Sequence, residues 1–219
     1  MLKSACKQNS ISSIPTSKFV YFAMCYEHER TTTPEGGIFH DQLIAIANLR
    51  SILPRNVLIV VKEHPSQFYF GDKGSRGRSR LFYQCVKNIN GVIVISTNVE
   101  TIELIEKSEF VATVSGTVAI EAASRKKKAI VFGDAWFTFA PNIMSWGDKL
   151  TYKKIMSAKL YKVEDVIAYL VKKAKKYTVP GFLNPSYQDL LRDFEDEKFF
   201  EAQKIGVFTL MKKFIQENG

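Results

Sequence analysis

The stretch VLIVVKEHP at residues 57–65 decides the fold, because it joins a wholly apolar run to a polar turn. Val57 to Val61 is apolar at every position, which is typical of a strand buried between two layers of helices. A half-exposed strand would alternate polar and apolar residues instead. Pro65 cannot continue a central strand and biases His64 away from helix, so the chain must turn here. The stretch therefore predicts a buried strand with a polar turn at its carboxyl end.

Similar apolar runs recur on both sides of this strand, and stretches with helical periodicity separate them. The runs cover residues 19–22, 92–95, 110–114 and 129–132, and the helical stretches cover 39–53, 80–87, 99–107 and 118–125. Strands that alternate with helices in this way form βαβ units with right-handed crossovers. The sequence therefore predicts an α/β fold with a Rossmann-like, doubly wound parallel sheet.

The two ends of the chain differ from this alternating region. Residues 1–17 are rich in Ser, Thr, Lys and Asn without hydrophobic periodicity, so we expect a linker or a disordered N-terminus there. Residues 18–219 are predicted to form the Rossmann-like domain, with C-terminal helices near 163–175 and 199–216. The last helix has an apolar stripe, which we interpret as a face packed in the core.

Composition limits the class of protein and its compartment. The three cysteines are widely spaced and include no CxxC pair, so neither a disulfide framework nor a zinc site is indicated. No apolar run approaches the about 18 residues of a spanning helix, and the N-terminus lacks the apolar stretch of a signal peptide. We therefore expect a cytoplasmic protein.

The net charge of +9 comes largely from short lysine clusters, which lie at residues 126–128, 153–154, 172–173, 175–176 and 212–213. A solvated surface is the favoured interpretation, and peripheral contact with an anionic membrane at its inner face is the next one. No nucleic-acid-binding signature accompanies the charge, so nucleic acid is not an expected partner.

The loops after the strands are the candidate functional regions, because ligands of open parallel sheets bind at the carboxyl ends of the strands. His64 stands at such a position, and its imidazole can donate a hydrogen bond to a phosphate or a leaving oxygen. The alternative is a histidine that only caps the loop.

A second candidate is the turn Ser115-Gly116-Thr117, which ends one strand and begins the next helix. Backbone N–H groups and the dipole at a helix start favour anions, and glycine allows a ligand to approach. Glu121 lies one turn after Thr117 on the same face, where a carboxylate can accept hydrogen bonds from ribose hydroxyls. An ordinary helix cap remains the alternative.

Two further regions supply charged groups. The polar loop 26–37 ends in Gly36-Gly37 and has a length typical of functional loops. Arg78 lies among the arginines of residues 76–80, where it could contact an anionic acceptor or a donor carboxylate, since arginine binds carboxylates in a bidentate way. A solvated loop is the alternative for these arginines.

Taken together, these motifs resemble the capsule-polysaccharide and surface-carbohydrate biosynthesis family. The resemblance covers roughly residues 19–146 and rests on four segments in the family's order, at 21–43, 62–67, 114–122 and 133–137. The most similar members are Kdo-transferase-like glycosyltransferases of the GT-B fold, in which two Rossmann-like halves face each other across a cleft. The chain resembles the C-terminal half.

The resemblance implies roles for individual residues. His64 would be the catalytic group, and Lys62 and Ser115–Thr117 would bind the phosphate of a CMP-sugar donor, with Glu121 on the ribose. Contacts with the sugar or the acceptor would come from residues of the first and last segments and from the arginine region: Glu29, Arg30, Arg78, Asp134 and Trp136.

The implied reaction transfers a sugar from a nucleotide-sugar donor to a glycan or glycolipid acceptor. No DxD sequence follows a strand, so no metal and no other cofactor is expected, which suits a donor with a single phosphate. An N-terminal GT-B half, outside this sequence, is the expected partner. Two alternatives stay open: a UDP-sugar enzyme such as a 2-epimerase-like protein, and a non-catalytic half-protein that binds nucleotide.

Overall fold

The computed structural model describes residues 2–177 and 197–218, apart from residues 28, 30, 31, 69–76 and 148. Its contacts divide the chain into two units, residues 1–167 and 168–219. The first unit contains the sheet. The second contains the end of one helix and all of the last one.

Seven strands and eight α-helices are found in the described residues. The strands are β1 Ser10–Ile11, β2 Phe19–Ala23, β3 Leu58–Lys62, β4 Val92–Ile95, β5 Val111–Thr113, β6 Ala129–Val131 and β7 Ile143–Ser145. The helices are α1 Leu2–Asn9, α2 Gln42–Ile52, α3 Phe82–Asn88, α4 Thr101–Lys107, α5 Val118–Ser124, α6 Tyr152–Ser157, α7 Val163–Tyr177 and α8 Glu197–Asn218. Short 3-10 turns occupy Gly37–His40 and Pro65–Phe68.

The strands form one sheet in the order β1-β4-β3-β2-β5-β6-β7, and every pair is parallel. From β2 the chain builds outward through β3 and β4, and then returns to add β5 on the other side of β2. The strand order therefore reverses between β2 and β5, which is the switch point at which such sheets bind ligands. The predicted Rossmann-like, doubly wound α/β fold is confirmed.

The apolar runs are buried as predicted. All five residues of β2 are buried, and so are four of the five residues of β3. Helix α2 contributes Ala45, Ile46 and Leu49 to the same core. Its start is fixed by Asp41, whose side chain accepts a hydrogen bond from the backbone N–H of Leu43 at 3.0 Å.

The N-terminal prediction is wrong, because residues 2–11 form α1 and the edge strand β1 instead of a linker. Leu2 and Cys6, one turn apart, are buried in the core. Strand β1 pairs with β4, and the N–H of Ser96 donates to the carbonyl of Ile11 at 2.8 Å. Two apolar side chains and main-chain hydrogen bonds are enough to dock this segment, and neither gives a periodic hydrophobic pattern.

Both C-terminal helices are present, but the described residues of the apolar stripe in the last one are exposed. In α8, Val207, Phe208 and Met211 are 42%, 68% and 59% exposed, so the prediction of a core role is wrong for these three residues. Over the residues that the structure describes, no helix is both long and apolar enough to cross a membrane.

Candidate functional site

A cleft of about 330 Å³ opens at the carboxyl edge of the sheet, at the reversal between β2 and β5. Its walls come from the loops after β2, β3 and β5, and they include Cys25, His64 and the turn Ser115–Thr117. Parallel strands end at the same edge, so His64 and this turn lie in one cleft although they are far apart in sequence. The structure therefore brings together the two motifs that the sequence singled out.

The ring of His64 is held by its own turn. Its Nδ1 accepts a hydrogen bond from the backbone N–H of Ser66 at 3.2 Å, so the proton of the neutral ring is assigned to Nε2. Partial burial lowers the pKa of His64, while the carboxylates of Glu29 and Glu63 oppose this shift. The residue remains exposed, so solvent weakens these effects. At neutral pH, His64 can donate one hydrogen bond through Nε2–H.

The turn Ser115–Thr117 packs closely against the side chains of Cys25 and Thr113. The N–H of Ser115 donates to Cys25 Sγ at 3.4 Å, and that of Gly116 donates to Thr113 Oγ1 at 3.2 Å. A Cβ at Gly116 would lie 2.8 Å from the same Thr113 Oγ1, so only glycine fits without a shift. These two N–H groups therefore support the turn and do not face a ligand.

The start of α5 offers the remaining polar groups of this wall. Thr117 is exposed, and its hydroxyl makes no cap hydrogen bond within the helix. No group that the structure describes accepts from the backbone N–H of Thr117 or Val118. Glu121 is exposed one turn later and also lines the cleft. A phosphate beside Thr117 with a ribose near Glu121 fits this arrangement.

Lys62 has its ammonium group engaged in the fold. The side chain is buried, and its Nζ donates to the carbonyl of Val99 at 2.5 Å and to Thr101 Oγ1 at 2.8 Å. Burial lowers the pKa of Lys62, and the carboxylate of Glu100 opposes this. Two of its three protons thus tie β3 to the start of α4, and the predicted phosphate contact would have only the third.

Arg78 is buried, so the prediction that it contacts the acceptor or the sugar is wrong. Its side chain is 0% exposed, and it forms ion pairs with Glu27 at 2.8 Å and with Glu63 at 2.6 Å. Its Nη2 also donates to the carbonyl of Cys25 at 2.9 Å. The arginine holds the loops after β2 and β3 together from inside. The preceding residues 69–76, which include Arg76, lie outside the described part of the chain.

Sequence reasoning missed the polar cluster around Arg78. Tyr83 donates its hydroxyl proton to Glu63 Oε2 at 2.8 Å, and Gln42 bonds both the N–H and the carbonyl of Cys25 at 2.9 Å. Burial raises the pKa of Glu27, although Arg78 and Gln42 oppose this shift. A carboxylate directly after a buried strand, as Glu63 is, was the available signal, because such a group needs a partner.

The remaining candidate contacts are spread over a wider area. Glu29 lines the cleft, whereas Arg30 lies outside the described residues. Asp134 and Trp136 follow β6 and are not among the residues that line the cleft. The N–H of Asp134 donates to the carbonyl of Glu35 at 2.8 Å, and Trp136 is 61% exposed. Within the described chain, no three His, Cys, Asp or Glu side chains are grouped as metal ligands.

Comparison with solved structures finds distant matches. The β-Kdo 2,7-transferase KpsC of Thermosulfurimonas dismutans is 12% identical with a TM-score of 0.49, over 76% of this chain and 49% of that one. Its β-Kdo 2,4-transferase is 16% identical with a TM-score of 0.45, over 78% of this chain and 61% of that one. The UDP-GlcNAc 2-epimerase of Neisseria meningitidis is 17% identical with a TM-score of 0.34, over 91% and 45%.

The chain thus spans 49–61% of the length of the first two of these structures. A search of curated protein sequences found no match. The model of the family described as capsule polysaccharide biosynthesis protein matches residues 38–143, which run from the turn before α2 to the first residue of β7. This match confirms the resemblance inferred from the motifs over residues 38–143, a little under half of the chain.

Proposed function

We propose that the chain is the donor-nucleotide-binding domain of a glycosyltransferase in bacterial capsule or surface polysaccharide biosynthesis. The observation that carries this proposal is the meeting of His64 and Thr117 in one cleft at the switch point of the sheet. The family match over residues 38–143 supports the polysaccharide context. The proposed donor is a CMP-linked, Kdo-like sugar, as the motif resemblance implies.

The proposed chemistry is sugar transfer with a nucleotide monophosphate as the leaving group. The bond from the anomeric carbon to the phosphate oxygen breaks and leaves its electron pair on that oxygen, while an acceptor hydroxyl forms the new bond to the anomeric carbon and releases its proton to solvent. Negative charge develops on the leaving phosphate. Nε2–H of His64 and the start of α5 at Thr117 are placed to stabilise that charge, which is the main contribution expected of such a site.

The acceptor and the other wall of the cleft belong to the proposal as well. We take the acceptor to be a glycan or glycolipid, and we take a second Rossmann-like half to close the cleft from above. Membrane contact at the inner face would use exposed lysines such as Lys153, Lys172 and Lys212. Lys128 does not contribute, since it is buried and its ammonium donates to the carbonyl of Met156.

The test is calorimetry with CMP, UMP and UDP, each with and without magnesium. We expect CMP to bind most tightly and to need no metal. His64→Ala and Thr117→Val should each weaken CMP binding about ten- to a hundredfold, the value of one hydrogen bond to an ionised group. The double variant should be non-additive, because both groups contact one phosphate.

His40→Ala is the matched control, since His40 is exposed in the turn before α2 and does not line the cleft. It should bind CMP like the wild type. Tighter binding of UDP, or an absolute need for magnesium, would favour a UDP-sugar enzyme instead. A His64→Ala variant with unchanged CMP affinity and lowered stability would make His64 a loop-packing residue.

A further inference from the structure

A cluster of buried charged and polar side chains lies directly beneath the cleft. The side chains of Arg78 and Glu63 are 0% exposed and that of Glu27 is 12% exposed. Arg78 lies between the two carboxylates, at 2.8 Å from Glu27 Oε1 and 2.6 Å from Glu63 Oε2. The fully buried Tyr83 donates its hydroxyl proton to Glu63 Oε2 at 2.8 Å. We call these four residues the buried ion cluster.

The buried ion cluster is bonded to both ends of the turn that carries His64. At the first end, Glu63 Oε1 accepts the backbone N–H of His64 at 2.7 Å. At the other end, the buried side chain of Gln67 accepts the backbone N–H of Glu27 at 3.1 Å. Within the turn, the N–H of Gln67 donates to the carbonyl of His64 at 3.0 Å. The turn is therefore fixed against the loop after β2.

This fixation determines which ring nitrogen of His64 is left for the cleft. Within this closed turn, the backbone N–H of Ser66 donates to Nδ1 and occupies that nitrogen. Nε2 is then the nitrogen that carries the proton. A histidine on a loose loop would change both its ring orientation and its tautomer.

Burial of three charges is costly, and an apolar cluster of the same volume would stabilise the fold as well or better. One carboxylate oxygen of the cluster, Oε1 of Glu63, accepts a hydrogen bond from the backbone N–H of His64 itself. A cluster that only filled the core would not require a hydrogen bond to this N–H. We propose that Glu63, Arg78 and Tyr83 are positioning residues that hold His64 with Nε2–H directed to the cleft; the ligand of that N–H rests on the proposed function.

The test uses Tyr83→Phe, which removes one hydroxyl and keeps the buried ring. Glu63 keeps its ion pair with Arg78 in this variant, so the protein should fold. Tyr152→Phe is the matched control, because Tyr152 also donates to a carboxylate, that of Glu109 at 3.2 Å, and does not line the cleft. For each protein, carbon and nitrogen NMR shifts of the His64 ring report its tautomer, and calorimetry reports CMP affinity.

We expect neutral His64 to be the Nε2–H tautomer in the wild type and in Tyr152→Phe, and a mixture of tautomers in Tyr83→Phe. CMP affinity should fall about three- to tenfold in Tyr83→Phe. In a His64→Ala background, Tyr83→Phe should cause no further loss, because its effect acts through the histidine.

An unchanged His64 tautomer in Tyr83→Phe would overturn the inference, and so would an equal loss of affinity with and without His64. The NMR measurement needs no nucleotide. If the wild type binds none of the three nucleotides, the proposed function fails, and the NMR result alone decides whether the cluster positions His64.

Discussion

Replacing Arg78 by methionine tests what the buried ion cluster contributes to stability. Methionine has a similar length, so the change removes the charge and leaves most of the volume filled. The variant loses ion pairs of 2.8 Å and 2.6 Å and the hydrogen bond of 2.9 Å to the carbonyl of Cys25. It leaves Glu27 and Glu63 as two buried carboxylates without their cation. Removal of one partner of a buried ion pair costs about 3–5 kcal/mol, so the free energy of unfolding should fall by about that amount at neutral pH.

The loss should depend on pH, with a sign that follows from Glu27. Burial raises the pKa of this carboxyl, and Arg78 opposes the shift, so the pKa rises further once Arg78 is gone. A carboxyl with a raised pKa in the folded state stabilises the fold below its unfolded pKa, about 4.3 for Glu, and this stabilisation is lost as the pH rises through the folded pKa. The deficit of Arg78→Met should therefore be largest near pH 7 and smaller near about pH 5.

Urea denaturation at these two pH values measures the effect, with the fluorescence of Trp146 as a probe, since its ring stacks on Phe132 at 4.4 Å. The control is Lys107→Met, which removes an exposed ion pair of 2.6 Å with Glu103 on α4 and should cost less than about 0.5 kcal/mol. An Arg78→Met variant that loses less than about 1 kcal/mol, or that loses the same at both pH values, would refute the reasoning.

The other predictions concern packing, ribose recognition and the membrane. Gly133→Ala places a Cβ 2.8 Å from the carbonyl oxygen of Glu35 and 3.0 Å from the Cα of Gly36, so it should lower stability by about 1–3 kcal/mol in thermal denaturation. Gly147→Ala, with nothing within 4 Å, should change little, and equal effects would contradict the close approach of the two loops. Glu121→Gln should weaken binding of CMP in calorimetry but leave that of inorganic phosphate unchanged; a loss of both would place Glu121 on the phosphate. The lysine clusters should bind anionic vesicles in sedimentation at low salt and release them at high salt, since each charge contributes about 1 kcal/mol near the surface; equal binding to neutral vesicles would leave them as solvated surface.

The central strands could be predicted because a strand that is buried on both faces has apolar residues at every position. Val57 to Val61 is apolar throughout, and β3 lies in the middle of the sheet. Elements at the edge of the sheet show a weaker hydrophobic pattern in their sequence. Helix α1 buries only Leu2 and Cys6, and β1 is held to β4 by backbone groups that every residue has. The polar composition of the N-terminal segment therefore did not indicate that residues 2–11 are ordered.

The meeting of His64 with Ser115–Thr117 could be predicted for a similar reason, since parallel strands end at one edge regardless of the distance along the chain. The role of Arg78 could not be predicted from the sequence. Its carboxylate partners are 51 and 15 residues away, and nothing in the local sequence of an arginine indicates whether it will be buried or exposed. Pairings of this kind depend on how loops cross after the sheet has formed.

The reversal of strand order between β2 and β5 has a consequence for the order in which the fold is assembled. Strands β2, β3 and β4 pair with their neighbours along the chain, so this half of the sheet can form before β5 is available. Ser115, whose N–H meets the sulfur of Cys25, follows that cysteine by 90 residues, and we expect a contact of such separation to form late. The cleft has only one wall until β5 docks against β2. We therefore expect a ligand of the cleft to bind after the main folding step, and so to slow unfolding and leave the rate of folding unchanged.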